Sequence, residues 1–248
     1  MTYPSVISTD NSGKVSPLPS GLDRLRLPDH IAVIMDGNGR WASKNHLKKK
    51  EGHRAGIRSC INLIKSINRL DLHVDELSFY VFSSENWNRS LDEIKNLFDL
   101  IEEYYQEFEK TAQNYNLKIR HFGSRKKLNK KILKIIDDVT KKTKNNSSTA
   151  INLVFNYGGR DEIVSSIKKI KQGKVNKINI TKNLYTSMSK DPDLIIRTGG
   201  ELRLSNFMLW QSAYSELYFT KKLWPDFNIN DLKKIIMNFK KRKRNYGR

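Results

Sequence analysis

Asp36-Gly37-Asn38-Gly39-Arg40-Trp41 brings a carboxylate, two glycines and an arginine together. Glycines let a backbone turn tightly and bring its N–H groups close to a ligand. If Trp41 opens a helix, those N–H groups also sit at its positive end, a ready anion site. The guanidinium fork of Arg40 suits phosphate oxygens. A carboxylate at Asp36 suits Mg²⁺ beside a diphosphate. Alone, the segment fits a plain Gly-rich turn equally well. Lys48-Lys49-Lys50-Glu51-Gly52-His53-Arg54 offers either a basic wall over the same anion or a solvated lysine run. Ser83-Ser84-Glu85-Asn86-Trp87-Asn88-Arg89 gathers hydroxyls, a carboxylate, amides, an indole and an arginine. There Asn86 is suited to orienting a leaving group or passing a proton through water, and Trp87 to packing as a lid. Asn156-Tyr157-Gly158-Gly159-Arg160 reads as a strand-to-helix turn with Arg160 near the site. Arg197-Thr198-Gly199-Gly200-Glu201-Leu202-Arg203-Leu204-Ser205 carries two arginines, two glycines and a serine, enough for a second diphosphate. Glu216 offers another carboxylate for a metal.

These groups need a scaffold, and apolar runs of strand length supply one. Strands are expected over 30–36, 76–82, 117–122, 151–156, 193–197 and 216–220. Helices are expected over 54–69, 128–140 and 181–188, from about 160 and from about 230. A long helix follows Ser90, which starts a capping box with Glu93. Its stripe of Ile94, Leu97, Phe98, Ile101, Tyr104, Tyr105 and Phe108 is either core or the wall of an apolar tunnel. Strand–helix alternation with apolar strands predicts one α/β domain, a mostly parallel six-stranded sheet covered by helices. Ligands bind such sheets outside the carboxyl ends of the strands, and most of the candidate residues follow strands. Residues 1–27, rich in Ser, Pro and Gly, read as a flexible N-terminal extension to a domain over 28–248.

Composition narrows the function classes. The chain has 248 residues and a formal net charge of +20. Its single cysteine, Cys60, excludes a disulfide scaffold and a multi-cysteine zinc site. No apolar run approaches the roughly 20 residues of a membrane span. The N-terminus lacks a basic start followed by an apolar run, so a cytoplasmic location is expected. A basic chain favours anionic partners: nucleic acid, a membrane surface or phosphorylated small molecules. Lysine is abundant nearly everywhere in this chain, which accounts for much of the charge without any partner. The competing class is a non-enzymatic nucleic-acid binder using the tail Lys240-Lys241-Arg242-Lys243-Arg244. Against it, Asp36, Glu85 and Glu216 repel phosphates unless a metal intervenes, and a helix C-terminus favours cations anyway. No GxxxxGK[ST] loop and no GxGxxG after the first strand are present. Two Gly-plus-Arg anion sites beside an apolar stripe point to two substrates with apolar tails.

The segments HIAVIMDGNGRWA, GHRAG, FSSENWNR, NYGGR, DLIIRTGGELRLSNFMLWQ and ELYFTKKLWPDF resemble, in order, those of cis-prenyltransferases of the undecaprenyl diphosphate synthase type. They run from His30 to about Phe227. The resemblance implies an isoprenyl transferase. It would condense isopentenyl diphosphate with an allylic diphosphate such as farnesyl diphosphate, giving a cis-polyprenyl diphosphate. It implies Mg²⁺ as cofactor, a hydrophobic tunnel and a homodimer. Nucleic acid is then not a partner, and product release implies peripheral membrane contact. By resemblance Asp36 binds the metal and is essential. Gly37, Asn38, Gly39 and Arg40 hold the allylic diphosphate, with Trp41 and His53 alongside and Lys49 where relatives often carry arginine. Ser83, Ser84, Glu85, Asn86 and Trp87 line the site, with Asn86 aiding proton removal and Arg89 nearby. Arg197, Arg203 and Ser205 bind isopentenyl diphosphate, and Leu204 in the same loop is counted with the substrate-binding residues. Glu216 joins the metal site, from the partner subunit's side or close to the dimer interface. Leu202 stands where relatives often have His or Gln.

Overall fold

The computed structural model describes residues 27–70, 72–170 and 174–242. The elements run β1 (His30–Ile34), α1 (Asn38–Lys44), α2 (Lys49–Arg69), β2 (Glu76–Ser83), α3 (Leu91–Asn114), β3 (Lys118–Phe122), α4 (Lys130–Lys142), β4 (Ala150–Tyr157), α5 (Gly159–Lys169), α6 (Lys177–Asn183), β5 (Leu194–Arg197), β6 (Glu216–Phe219) and α7 (Ile229–Lys240). The strands form one sheet in the order β3-β4-β2-β1-β5-β6, and every pairing is parallel. From β1 the chain winds outward through β2 to β3 and β4, then returns to the other side of β1 with β5. The order therefore reverses between β1 and β5, where Ile34 pairs with Arg197. A crevice opens at such a reversal, outside the carboxyl ends of the strands.

Strands covered on both faces must be apolar on both, and all residues of β1 and β5 are buried. Ile31, Val33 and Ile196 face a core shared with Ile64 and Ile67 of α2 and Leu232, Ile235 and Ile236 of α7. Ala32, Ile34 and Ile195 face the opposite core, with Phe207 and Met208. This is the period-two alternation of a strand, used here to fill two layers.

Helix α2 starts at Lys49, one turn before the expected start at 54, because its first turns pack on α1. A Cβ at Gly52 would lie 2.1 Å from the Asn38 carbonyl oxygen, and one at Gly56 would lie 2.5 Å from Asn38 Oδ1. Four residues apart, the two glycines form a flat strip on which α1 rests. Ser90 caps α3, accepting from the Glu93 N–H at 3.3 Å. The reciprocal half of the expected capping box is not made, because the Glu93 carboxylate is bound by Lys49 and Arg89. The helix expected over 181–188 lies instead at Lys177–Asn183, started by Asn176, whose Oδ1 accepts from the Asn179 N–H at 2.9 Å. Among the described residues, no helix is long and apolar enough to cross a membrane. Apart from Leu27, the extension expected over 1–27 lies outside the described residues, as do Lys243 and Arg244 of the basic tail.

Candidate active site

Asp36 lies just past β1 and is fixed at both ends of its backbone. Its N–H donates to Thr198 Oγ1 at 3.0 Å, and its carbonyl accepts from that hydroxyl at 2.7 Å and from the Trp224 N–H at 3.0 Å. Its carboxylate accepts from Arg40 Nη2 at 3.0 Å and from Arg197 Nη2 at 2.9 Å. Partial burial alone would raise the Asp36 pKa; the hydrogen bonds from Arg197 and then Arg40 outweigh that and hold it below the usual carboxylate range. Asp36 is therefore ionised at neutral pH. Gly37 precedes α1 with φ 113°, a conformation that suits glycine, and a Cβ there would meet Leu223 at 2.9 Å. Helix α1 thus opens at Asn38, not at Trp41.

Arg197 is the most enclosed cation of the group, with its side chain 5% exposed. Besides Asp36 it donates to the Arg203 carbonyl and to Ser205 Oγ at 2.7 Å, while its Nε makes no hydrogen bond. Gly199, at φ 86°, lets Arg40 reach across: Arg40 Nη1 donates to the Gly199 carbonyl at 2.7 Å, and a Cβ there would lie 2.7 Å from Nη2. Glu201 sits between Arg40, at 3.8 Å, and Arg203. Asp36, Arg40, Arg197, Arg203 and Ser205 are thereby gathered at the reversal point from two distant stretches of chain.

A second cationic group forms where α2 and α3 begin. Glu93 binds Lys49 Nζ and Arg89 Nη1, each at 2.8 Å, and His53 Nε2 lies 3.8 Å from its carboxylate. Burial, then the charge of Arg89, lowers the His53 pKa, so the ring is neutral. The His53 Nε2 and Asn38 Oδ1 atoms are buried without a hydrogen-bond partner. Residues Ser84–Asn88 form a short 3₁₀ turn. Asn86 holds its start: Oδ1 accepts from the Ser83 N–H at 3.0 Å. Trp87 packs edge-on against Phe82 and Phe98 and donates to Asn156 Oδ1 at 2.8 Å. Its ring packs at the edge of the core formed with Phe82 and Phe98.

Both groups open on one cavity of about 460 Å³. Asp36, Asn38, His53, Ser83, Asn86, Arg89, Arg197 and Ser205 line its polar part. Its apolar part is lined by Ile57, Cys60 and Ile61 of α2, Leu97, Ile101, Tyr105 and Phe108 of α3, and Ile136 and Val139 of α4. Most of the α3 stripe thus lines open space, while Ile94 and Phe98 pack in core. Burial pushes the Cys60 thiol up to about 12, so it is protonated and behaves as a small apolar side chain.

Other candidates stand apart. Glu216 starts β6, opposite Leu194 at the amino edge of the sheet, and binds Arg242 at 2.6 Å. Strands of one parallel sheet share their polarity, so within one chain Glu216 and Asp36 are at opposite edges. Trp41 points away from the cavity and donates to Asp226 Oδ1 at 2.7 Å. Leu204 packs against the second core, and Leu202 is exposed. Lys48, Lys49 and Lys50 lie at a helix start rather than in a loop, so they point in different directions. Glu93, Thr198 and Asn206 are participants that residue typing overlooks. Asn206 donates to Glu85 at 2.6 Å, and that bond, with those of nearby hydroxyls and backbone, outweighs burial and lowers the Glu85 pKa.

Among the described residues, no group of three His, Cys, Asp or Glu side chains can hold a metal ion by itself. Among the described residues that line the cavity, Asp36 is the one carboxylate, and it is ionised. That donor set fits Mg²⁺ in one mode, with the ion shared between one carboxylate and the phosphate oxygens of a ligand.

Residues 34–247 match the family described as putative undecaprenyl diphosphate synthase. The chain is 39% identical to an isoprenyl transferase of Aquifex pyrophilus over 90% of its own length and 97% of that protein. It is 42% identical to one of Leptospira interrogans over 92% and 98%. Among solved structures it is similar to a probable undecaprenyl diphosphate synthase from Campylobacter jejuni, with a TM-score of 0.75 at 33% identity, covering 89% of this chain and 99% of that one. It is similar also to lavandulyl diphosphate synthase from Lavandula x intermedia, solved with dimethylallyl diphosphate, with a TM-score of 0.85 at 29% identity, covering 90% and 100%.

Proposed function

The chain belongs to the undecaprenyl diphosphate synthase family and is an isoprenyl transferase, and from that premise we propose that it uses Mg²⁺ to condense isopentenyl diphosphate with an allylic diphosphate such as farnesyl diphosphate, extending a cis-polyprenyl diphosphate. The observation that carries this reading is a cationic mouth, Arg40 and Arg197 about Asp36 with Arg89 beside Glu93, opening on an apolar cavity. The dimethylallyl diphosphate bound by the lavender enzyme supports an allylic diphosphate as ligand.

In this reading the primer diphosphate lies against Asn38, Arg40, His53, Lys49 and Arg89, and its tail enters the cavity between α2 and α3. Isopentenyl diphosphate lies against Arg197, Arg203 and Ser205. Asp36 holds the ion, which when bound supplies positive charge against the leaving diphosphate. The arginines neutralise that diphosphate as the C–O bond breaks and its electron pair leaves with oxygen. Fixed charges aimed at developing charge are commonly the largest catalytic contribution. The π electrons of isopentenyl diphosphate then form the new C–C bond, and a proton is lost to water oriented by the Asn86 amide. Holding two substrates in line removes much of the entropic barrier. Each methylene entering the apolar tunnel gains about 0.8 kcal/mol. The position of β6 at the edge of the sheet, with Leu217 exposed on it, supports the homodimer reading. A cytoplasmic location with peripheral membrane contact completes the proposal.

Labelled isopentenyl diphosphate, farnesyl diphosphate and Mg²⁺ test it. Butanol-extractable long-chain product with cis double bonds is expected, and absence of incorporation overturns the reading. Salt-sensitive retention of DNA or RNA without any incorporation would favour the nucleic-acid class instead.

A further inference from the structure

The loop after Arg203 has an unusual backbone. Ser205, Asn206 and Met208 all lie in the left-handed region, at φ 48°, 63° and 44°. Non-glycine residues hold such a conformation only where their surroundings over-determine it. Part of the anchoring is apolar: Phe207 and Met208 are fully buried, and Phe207 stacks on Tyr80 at 4.6 Å. The polar part converges on Asn206. Its backbone carbonyl accepts from the Gly159 N–H at 2.7 Å, and its Oδ1 accepts from the Arg160 N–H at 2.9 Å. These are the first two N–H groups of α5, so Asn206 caps that helix from a distant loop. Its Nδ2 donates to Glu85 Oε1 at 2.6 Å. The two glycines of the Asn156–Arg160 turn make room for this: a Cβ at Gly158 would lie 2.8 Å from Asn206 Nδ2 and 2.4 Å from Ser84 Oγ.

From this geometry we propose that Asn206 is a positioning residue, fixing the isopentenyl-diphosphate loop (Arg203, Ser205) against the Ser84–Glu85 turn and the start of α5. It touches no substrate. It acts by holding the Ser205 hydroxyl on Arg197 and the Glu85 carboxylate at a set distance from that loop. Asparagine suits the task for two reasons. It tolerates the left-handed region better than most residues. Its amide also presents an acceptor to α5 and a donor to Glu85 at the same time. The proposal rests on the substrate assignment above, so wild-type turnover is measured first; its absence would sink that assignment and leave no loop function to position.

Asn206→Asp keeps the acceptor toward Arg160 but sets a carboxylate against Glu85. We expect kcat to fall at least about tenfold and the KM for isopentenyl diphosphate to rise, with the KM for farnesyl diphosphate within about twofold of wild type. Glu85→Gln should lower activity by itself. In that background, however, the amide introduced at position 85 can donate to the carboxylate introduced at position 206, so Asn206→Asp should cost no more than about twofold further. Asn206→Gly tolerates the φ of 63° yet lacks the amide. It should melt only modestly below wild type, through the lost bond to the Arg160 N–H, while showing the same one-sided rise in KM. Equal losses from Asn206→Asp in the two backgrounds, or a KM rise shared by both substrates, would overturn the proposal. So would Asn206→Gly with wild-type kinetics.

Discussion

Asp36 Oδ2 and Arg197 Nη2 meet at 2.9 Å although 161 positions separate them in the chain. The pair spans the point where strand order reverses, joining the ends of β1 and β5. It balances the charge of an arginine that is almost fully enclosed, and it keeps both groups at the mouth of the cavity. Removing one partner of such a pair leaves an uncompensated charge, so each member supports the other's placement as well as its own chemistry.

Asp36→Ala should therefore abolish most turnover while farnesyl diphosphate still binds, as read by equilibrium titration. Arg197 loses a partner, and stability should fall by about 1–3 kcal/mol. An added diphosphate supplies a replacement anion, so inorganic diphosphate should raise the melting temperature more in the variant than in the wild type. The Asp36 pKa is lowered by folding, so its contribution is present above the ordinary carboxylate pKa and is lost as pH falls through the lowered value. The stability difference between wild type and variant should accordingly shrink in acid. Wild-type turnover by Asp36→Ala in excess Mg²⁺ would remove the metal-binding role.

Stability should also fall between about pH 7.5 and 5.5, for a different reason. Burial is the first cause lowering the pKa values of His30, His53 and His121. The unfolded chain takes up protons near pH 6.5 and these folded rings do so only at lower pH, so the unfolded state binds more protons and acid favours it. The slope is at most about 1.4 kcal/mol per pH unit for each histidine. Urea titrations at the two pH values measure it, and His53→Gln should flatten the dependence. Stability that rises toward acid would contradict the assignment of neutral buried rings.

Filling the apolar part of the cavity should shorten the product. Ile101 faces the cavity from α3, so Ile101→Trp places its added bulk in open space. The cost of about 1–3 kcal/mol expected when a packed core is overfilled should not appear. Chromatography of the labelled products should show shorter chains at nearly wild-type melting temperature. An unchanged length distribution would show that the growing chain does not pass Ile101.

The sheet is legible in the sequence because its strands are short, continuous apolar runs, and the carboxyl-edge rule then points to Asp36, Asn86 and Arg197. The first turn of α2 is not legible in that way. Charged residues and glycines dominate Lys49–Gly56, and the glycines pack on α1, not on an apolar core. Within one chain Glu216 and Asp36 occupy opposite strand edges, so a metal role for Glu216 is a proposal that requires the partner subunit's copy. Glu93 reads locally as a capping residue, and its actual partners come from the start of α2 and from Arg89. Asn206 is hidden for a similar reason. Its role depends on the Arg160 N–H, 46 residues away, and on a backbone conformation that composition does not signal.

The proposed placement of two diphosphates, one on each side of Asp36, is tested most directly by steady-state kinetics with each substrate varied in turn for Arg203→Ala and Arg89→Ala. The Arg203 side chain is 61% exposed, so its loss should leave the fold intact. Loss of a charge-assisted hydrogen bond costs about 1.5–3 kcal/mol, or about tenfold to a hundredfold in binding. Arg203→Ala should raise the KM for isopentenyl diphosphate by that factor and leave the KM for farnesyl diphosphate within about twofold, and Arg89→Ala should do the reverse. Exchanged effects, or an equal rise for both substrates in both variants, would contradict the two-sided site.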